Sequence, residues 1–261
     1  MTTYLDRIIA HHRQRAAVDD RSVAGLVEAC QSLPATRGFQ RRLAGDSLAG
    51  LAVISEIKRR SPSKGDLAIG LDPVDLARRY EAAGASCLSV LTDEDFFAGS
   101  ANDLRAASRA TLLPVLRKDF TVSAADVCDA RLMGADCALL IVAALTDDEL
   151  TSFARIARDV GIDFLVEIHD ERELERALTV DPLMVGVNQR DLVTFEVDHD
   201  RAVRMAPQIP SGIVRVAESG VRGPDDARAL AAAGYHAVLV GESLVTSSDP
   251  VAALRELRAS G

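Results

Sequence analysis

A recurring punctuation constrains this chain more than any other feature: a helical pattern stops at a glycine, and two or three residues later a short β-rich apolar run begins. It occurs at Ala82-Ala83-Gly84 before Cys87, Leu132-Met133-Gly134 before Cys137, Asp159-Val160-Gly161 before Phe164, and Ala232-Ala233-Gly234 before Ala237. Glycine suits the position after a helix, where a left-handed backbone ends the turn and aims the chain back toward a sheet. Helix starts are marked too. Pro73 and Pro224 fit first turns, while Thr146 with Glu149 and Ser123 with Asp126 have capping-box spacing.

Between these marks fall strand candidates at 51–58, 87–91, 113–117, 137–142, 163–168, 183–188, 213–218 and 236–241, each followed by a helical pattern. Their near-continuous apolar character fits burial on both faces, and alternation of this kind predicts a parallel α/β fold, a (β/α)8 TIM barrel. An open doubly wound sheet is the runner-up. It calls for a glycine-rich dinucleotide loop after the first strand, where this chain has Lys58-Arg59-Arg60-Ser61-Pro62-Ser63. Residues 1–48 precede the first strand, with helical patterns at 4–17 and 22–32, and are expected to cap the N-terminal side of the barrel. The whole chain, 1–261, reads as a single barrel domain carrying that helical extension.

The formal charge of −9 argues against a general nucleic-acid or membrane-surface role, so an anionic ligand requires a local cationic site. No apolar run approaches the roughly 20 residues of a membrane span, and the first residues lack a secretory pattern, which together predict a cytoplasmic protein. The four cysteines, Cys30, Cys87, Cys128 and Cys137, have neither zinc-ligand nor redox spacing and read as small buried hydrophobes. No metal motif is present, and the histidines are scattered. His169 comes nearest to the candidate site and reads as a loop or helix-entry residue. A Gly-x-Ser-x-Gly elbow is also missing.

In such barrels chemistry sits where the strands end. Side chains alternate along a strand, so Glu56 and Lys58 share a face at the end of the first. The other strand ends supply Lys118, Glu167, Asn188 with Arg190 just beyond, and Glu218-Ser219-Gly220. Two lysines and three carboxylates in one cleft can poise one another for proton transfer, since burial and neighbouring charges shift their pKa values in opposing directions. Phosphate is suggested by the last two loops, Ser219-Gly220 and Gly241-Glu242-Ser243, because backbone N–H groups there can approach an anion closely. Ser61 and Lys64, in the rigid Ser-Pro-Ser-Lys-Gly loop, are nearby candidates.

Six ordered segments then resemble the indole-3-glycerol phosphate synthase family: 55–65, 89–100, 114–120, 165–169, 186–192 and Glu218-Ser219-Gly220. The resemblance spans essentially the full length. It implies a carboxy-lyase of tryptophan biosynthesis that converts 1-(2-carboxyphenylamino)-1-deoxyribulose 5-phosphate to indole-3-glycerol phosphate, carbon dioxide and water, with no cofactor and no metal. By the same resemblance Lys118 is the general acid of condensation and Glu167 the base of dehydration. Lys58 neutralises the substrate carboxylate and serves as a second acid. Glu56 and Glu218 keep the lysines protonated and oriented, and Asn188 and Arg190 fix the anthranilate carboxylate and hydroxyls. Phe97, Phe120 and Leu192 enclose the aromatic ring; Ser61, Ser219, Gly220, Gly241 and the backbone of Glu242 take the phosphate. The expected partner is thus a phosphorylated small molecule, with association among tryptophan-pathway enzymes a further expectation.

Two departures from the family pattern stand out: Gln189 where a second asparagine is frequent, and residues 121–125. The rival readings are another phosphate-binding barrel enzyme, such as phosphoribosylanthranilate isomerase, and a noncatalytic barrel that binds a ligand. The first does not require Lys118 together with Glu167, and the second has no use for so many costly charges.

Overall fold

The computed structural model describes residues 3–259. Eight parallel strands close into a barrel: β1 (Ala52–Ile57), β2 (Cys87–Leu91), β3 (Val115–Lys118), β4 (Cys137–Ile141), β5 (Asp163–Ile168), β6 (Met184–Asn188), β7 (Val214–Glu218) and β8 (Ala237–Val240). Each pairs with its sequence neighbour, and β8 returns to β1 with Ala52 opposite Ala237. The expected barrel is therefore present. The third strand starts at Val115 rather than 113, because Pro114 has no N–H to give the ladder and contributes only its carbonyl, which Leu88 bonds at 2.9 Å.

Alternation divides the core in two. Val53, Ile57, Leu88, Val90, Val115 and Val166 face outward into a layer shared with the helices, whereas Ala52, Ile54, Leu116, Leu139, Leu165 and Val216 fill the barrel interior. Continuing the interior rows upward by two residues reaches Glu56, Lys118, Glu167 and Glu218. The periodicity that packs the core thus delivers the charged groups to the mouth.

The helix ends follow the sequence marks. Gly84, Gly134, Gly161 and Gly234 are all left-handed, and both expected capping boxes form at Ser123 and Thr146. A small hairpin, Arg60–Ser61 against Gly65–Asp66, gives the loop after β1 its rigidity.

The N-terminal extension departs from expectation. Only one of its three helices, Phe39–Asp46, closes the N-terminal end: Phe39 and Leu43 are fully buried against the interior cluster, and Asp163 at the start of β5 accepts the Gln40 N–H at 2.9 Å. Asp163 thereby caps a helix whose own N-cap, Gly38, has no side chain to offer. The helix Val23–Gln31 packs beside the helix Ala124–Met133, where Cys30 Sγ meets the Cys128 carbonyl at 3.5 Å. The first helix, Tyr4–Ala17, lies instead across the mouth, burying Leu5, Ile8 and His12 on one face. Its buried His12 requires a hydrogen-bond partner, and Asp93, just past β2, supplies one at 2.8 Å.

Candidate active site

The mouth encloses a cleft of about 620 Å³ lined by every residue that the sequence nominated: Glu56, Lys58, Ser61, Phe97, Lys118, Phe120, Glu167, Asn188, Arg190, Leu192, Glu218, Ser219, Gly220, Gly241 and Glu242. Their arrangement falls into a proton-transfer centre, a second ion pair, an aromatic wall and a polar rim.

At the centre Lys118 Nζ donates to Glu167 Oε2 at 2.9 Å and stands 3.7 Å from Glu218 Oε2, while Asn188 Nδ2 donates to Glu167 Oε1 at 2.9 Å. Burial works against the charge of Lys118, but Glu167, Glu218 and Glu56 outweigh it and raise the lysine above its ordinary range. Burial likewise opposes ionisation of Glu167, and Lys118, His169 and Asn188 reverse that effect and hold it below the usual carboxylate range. Glu218 goes the other way. Its burial and the adjacent Glu167 push its pKa far up, with Lys118 only partly compensating. The two carboxylates therefore share one charged site unequally, with ionisation favoured at Glu167 and disfavoured at Glu218. As a carboxylate, neither oxygen of Glu218 has a hydrogen-bond partner among the described residues. As an acid it can itself donate.

Space for Glu218 is provided by Gly186 on β6, since a Cβ at that position would collide with the Glu218 carboxylate. Gly241 does the same for the second pair, in which Lys58 Nζ bonds Glu56 Oε1 at 2.5 Å and Ser89 Oγ donates to the other Glu56 oxygen at 3.4 Å. The expectation that Glu56 and Lys58 share a face holds, although β1 ends at Ile57 and Lys58 lies just beyond it.

The aromatic wall consists of Phe97 and Phe120, with ring centroids 6.3 Å apart, and Leu192. Asp93 fixes the turn that carries Phe97 by accepting the N–H groups of Phe96 and Phe97 at 2.7 and 3.1 Å. His12, Asp93 and Asp119 have metal-ligand chemistry and lie close together. Every carboxylate oxygen in that group already receives a protein donor: Phe96 and Phe97 N–H, His12, Phe120 N–H, and Arg117 with Thr92. With the Arg117 guanidinium 2.8 Å from Asp119, the cluster is a buried ion-pair network joining the first helix to the loops after β2 and β3.

On the rim, consecutive Ser219 and Gly220 are both left-handed, with φ of 64° and 73°. Gly220 is sterically required, because a Cβ would stand 2.6 Å from Val197 Cγ1. Gln189, noted as a departure, braces this turn by donating to the Ser219 carbonyl at 2.9 Å. Glu242 contributes more than its backbone: its carboxylate lies 3.4 Å from Arg190 and 3.8 Å from Lys64 Nζ, tying two cations to the rim. Sequence reasoning missed Tyr4, Leu5 and Ile8, which reach the cleft from the first helix, and Phe195, which packs edge-on against Tyr4 at 5.4 Å. An amphipathic pattern shows that a helix has a buried face without showing which end of a barrel it covers.

A family model described as indole-3-glycerol phosphate synthase matches residues 5–257. The chain belongs to the indole-3-glycerol phosphate synthase family. Among curated relatives, an indole-3-glycerol phosphate synthase of Mycolicibacterium vanbaalenii is 47% identical over 261 residues, covering 99% of this chain and 95% of the relative. One of Nocardioides sp. is 52% identical over 209 residues, covering 80% of each. In the solved structures a 3-hexulose-6-phosphate synthase aligns with TM-score 0.64 at 14% identity, over 80% of this chain and 99% of that one. That likeness speaks for the barrel alone. Among the described residues no helix is long and apolar enough to cross a membrane.

Proposed function

We propose that this cleft closes the indole ring, converting 1-(2-carboxyphenylamino)-1-deoxyribulose 5-phosphate to indole-3-glycerol phosphate, carbon dioxide and water. The observation that carries the reading is the buried contact of Lys118 with Glu167, an acid and a base in mutual reach in a cleft that also offers an aromatic wall and a cationic rim. Family membership supplies the substrate and the expected roles; the geometry is compatible with both.

The ketone oxygen must be protonated as the aromatic carbon attacks it. Lys118, kept charged chiefly by Glu167, donates there, and the forming alkoxide is basic enough to take a proton from a lysine of raised pKa. Loss of the carboxylate as carbon dioxide restores the aromatic system. Dehydration then needs a base and a second proton for the departing hydroxyl. Glu167 is the ionised carboxylate available, and Lys58, oriented by Glu56, is the second acid after having neutralised the substrate carboxylate. Arg190 and Asn188 hold the carboxylate and hydroxyls, Phe97, Phe120 and Leu192 confine the ring, and Ser61, Ser219, Gly220, Gly241 and the Glu242 backbone receive the phosphate. Glu242 would then release Arg190 and Lys64 toward the substrate.

On this reading residues 1–261 act as one barrel unit in the cytoplasm, alongside the other enzymes of tryptophan synthesis. Purified protein given the substrate without metal or nucleotide should generate indole fluorescence. A signal no greater than that of Lys118→Ala would remove the assignment.

A further inference from the structure

Glu167 is approached on a third side by a histidine for which the proposed chemistry has no use. His169 follows directly after β5, and Glu173 comes one turn into the helix Glu171–Leu178. A single Glu173 oxygen, Oε2, accepts the His169 backbone N–H at 2.8 Å and stands 3.0 Å from His169 Nδ1. An oxygen already accepting a backbone N–H is matched by a ring N–H, which assigns a hydrogen to Nδ1. The ring is thereby fixed with its other nitrogen turned inward. That nitrogen, Nε2, is buried with no hydrogen-bond partner among the described residues and lies 3.6 Å from Glu167 Oε1. The same Oε1 receives Asn188, and Lys118 holds Oε2.

We propose that His169 is a positioning residue for Glu167: Glu173 orients its ring so that Nε2, when it carries a hydrogen, donates to Glu167 Oε1 and steadies the carboxylate for proton abstraction. The contact needs roughly 0.7 Å of closure to reach the usual length of a charge-assisted hydrogen bond, about 2.9 Å. The titratable groups facing this pair are Lys118 from β3, Glu218 from β7 and Glu173 from the following helix, and Asn188 comes from β6. The inference rests on Glu167 being the base of the dehydration. It adds a line of three residues, Glu173–His169–Glu167, that leads from the helix layer to the reacting centre.

Amide variants separate the two ring nitrogens. In His169→Asn the amide nitrogen replaces Nδ1 and keeps the Glu173 contact, whereas in His169→Gln it reaches the Nε2 position. The test is kcat and KM for indole formation across pH, with melting temperature, for the full chain and for His169→Asn, His169→Gln, Glu173→Gln and Glu167→Gln. His169→Asn should lose about tenfold in kcat with KM little changed, and its acid limb should move to higher pH because Glu167 loses a donor. His169→Gln should recover most of that loss, and Glu173→Gln should fall between. Equal impairment of the Asn and Gln variants with an unmoved acid limb would overturn the proposal, as would full kcat in His169→Asn. If His169→Asn fails to fold, the Gln variant and Glu173→Gln still decide, since an unmoved acid limb in Glu173→Gln contradicts the line. Full kcat in Glu167→Gln would instead sink the base assignment, leaving the two failures distinguishable.

Discussion

At the N-terminal end of the barrel interior four inward positions are small, Ala52, Cys87, Cys137 and Ala237, and Phe39 with Leu43 packs into the same cluster. At the C-terminal end the same rows finish in Glu56, Lys118, Glu167, Asn188 and Glu218, with glycines at 186 and 241 clearing room for carboxylates. One alternation thus builds a close-packed plug and a crowded, electrostatically strained mouth. The difference teaches that stability and chemistry are assigned to opposite ends of one core, so substitutions at the two ends should fail in different ways.

The largest effect should come from the mouth. Lys118→Ala is expected to lower kcat/KM by about 10³-fold or more because it removes the acid, and its loss of melting temperature should be smaller at pH 5 than at pH 8, because Glu167, left without its buried partner, can take up a proton. Next is the plug. Phe39→Ala should reduce unfolding free energy by about 3–5 kcal/mol in denaturant titration, the usual range for emptying an aromatic site, while the protein that remains folded turns over normally. Loss of turnover without loss of stability in that variant would break the comparison.

Smaller and more diagnostic is Glu218→Gln. The folded-state pKa of Glu218 is raised, so native protein holds its proton while unfolded chains release theirs. That contribution is fully present below the unfolded pKa, near 4.3 for a glutamate, and is lost as pH rises toward the folded value. The variant should therefore gain melting temperature relative to the parent as pH increases from about 5 to 8. A gain independent of pH would mean that Glu218 is ionised in the fold, and that Lys118 sits between two charged carboxylates, Glu167 and Glu218, rather than beside one.

Much of this is legible in the amino-acid sequence. Glycine after four of the helices, capping boxes and eight apolar runs specify the barrel, because each is a local device whose physics does not depend on distant partners. Glu56, Lys58, Lys118, Glu167 and Glu218 were legible for the same reason: period two carries them to strand ends. What stayed hidden depends on contacts between elements distant in sequence. The first helix lies over the mouth because His12 meets Asp93, and nothing near residue 12 announces that pairing. The upward shift of Glu218 arises from its burial and from Glu167 two strands away, and the function of Gly186 is visible only once Glu218 points at it. His169 read as a loop residue because its relation to Glu173 is local but its relation to Glu167 depends on how the ring turns.

The central claim is that Lys118 and Glu167 act in successive steps, and a single-turnover experiment with Glu167→Gln tests it most directly. Carbon dioxide release and indole appearance would be followed on the same sample. The account predicts that carbon dioxide appears at close to the parental rate while indole lags by about 10²-fold, as ring-closed material waits for a base. Equal slowing of both signals would contradict it, placing Glu167 at or before ring closure and leaving dehydration to another group.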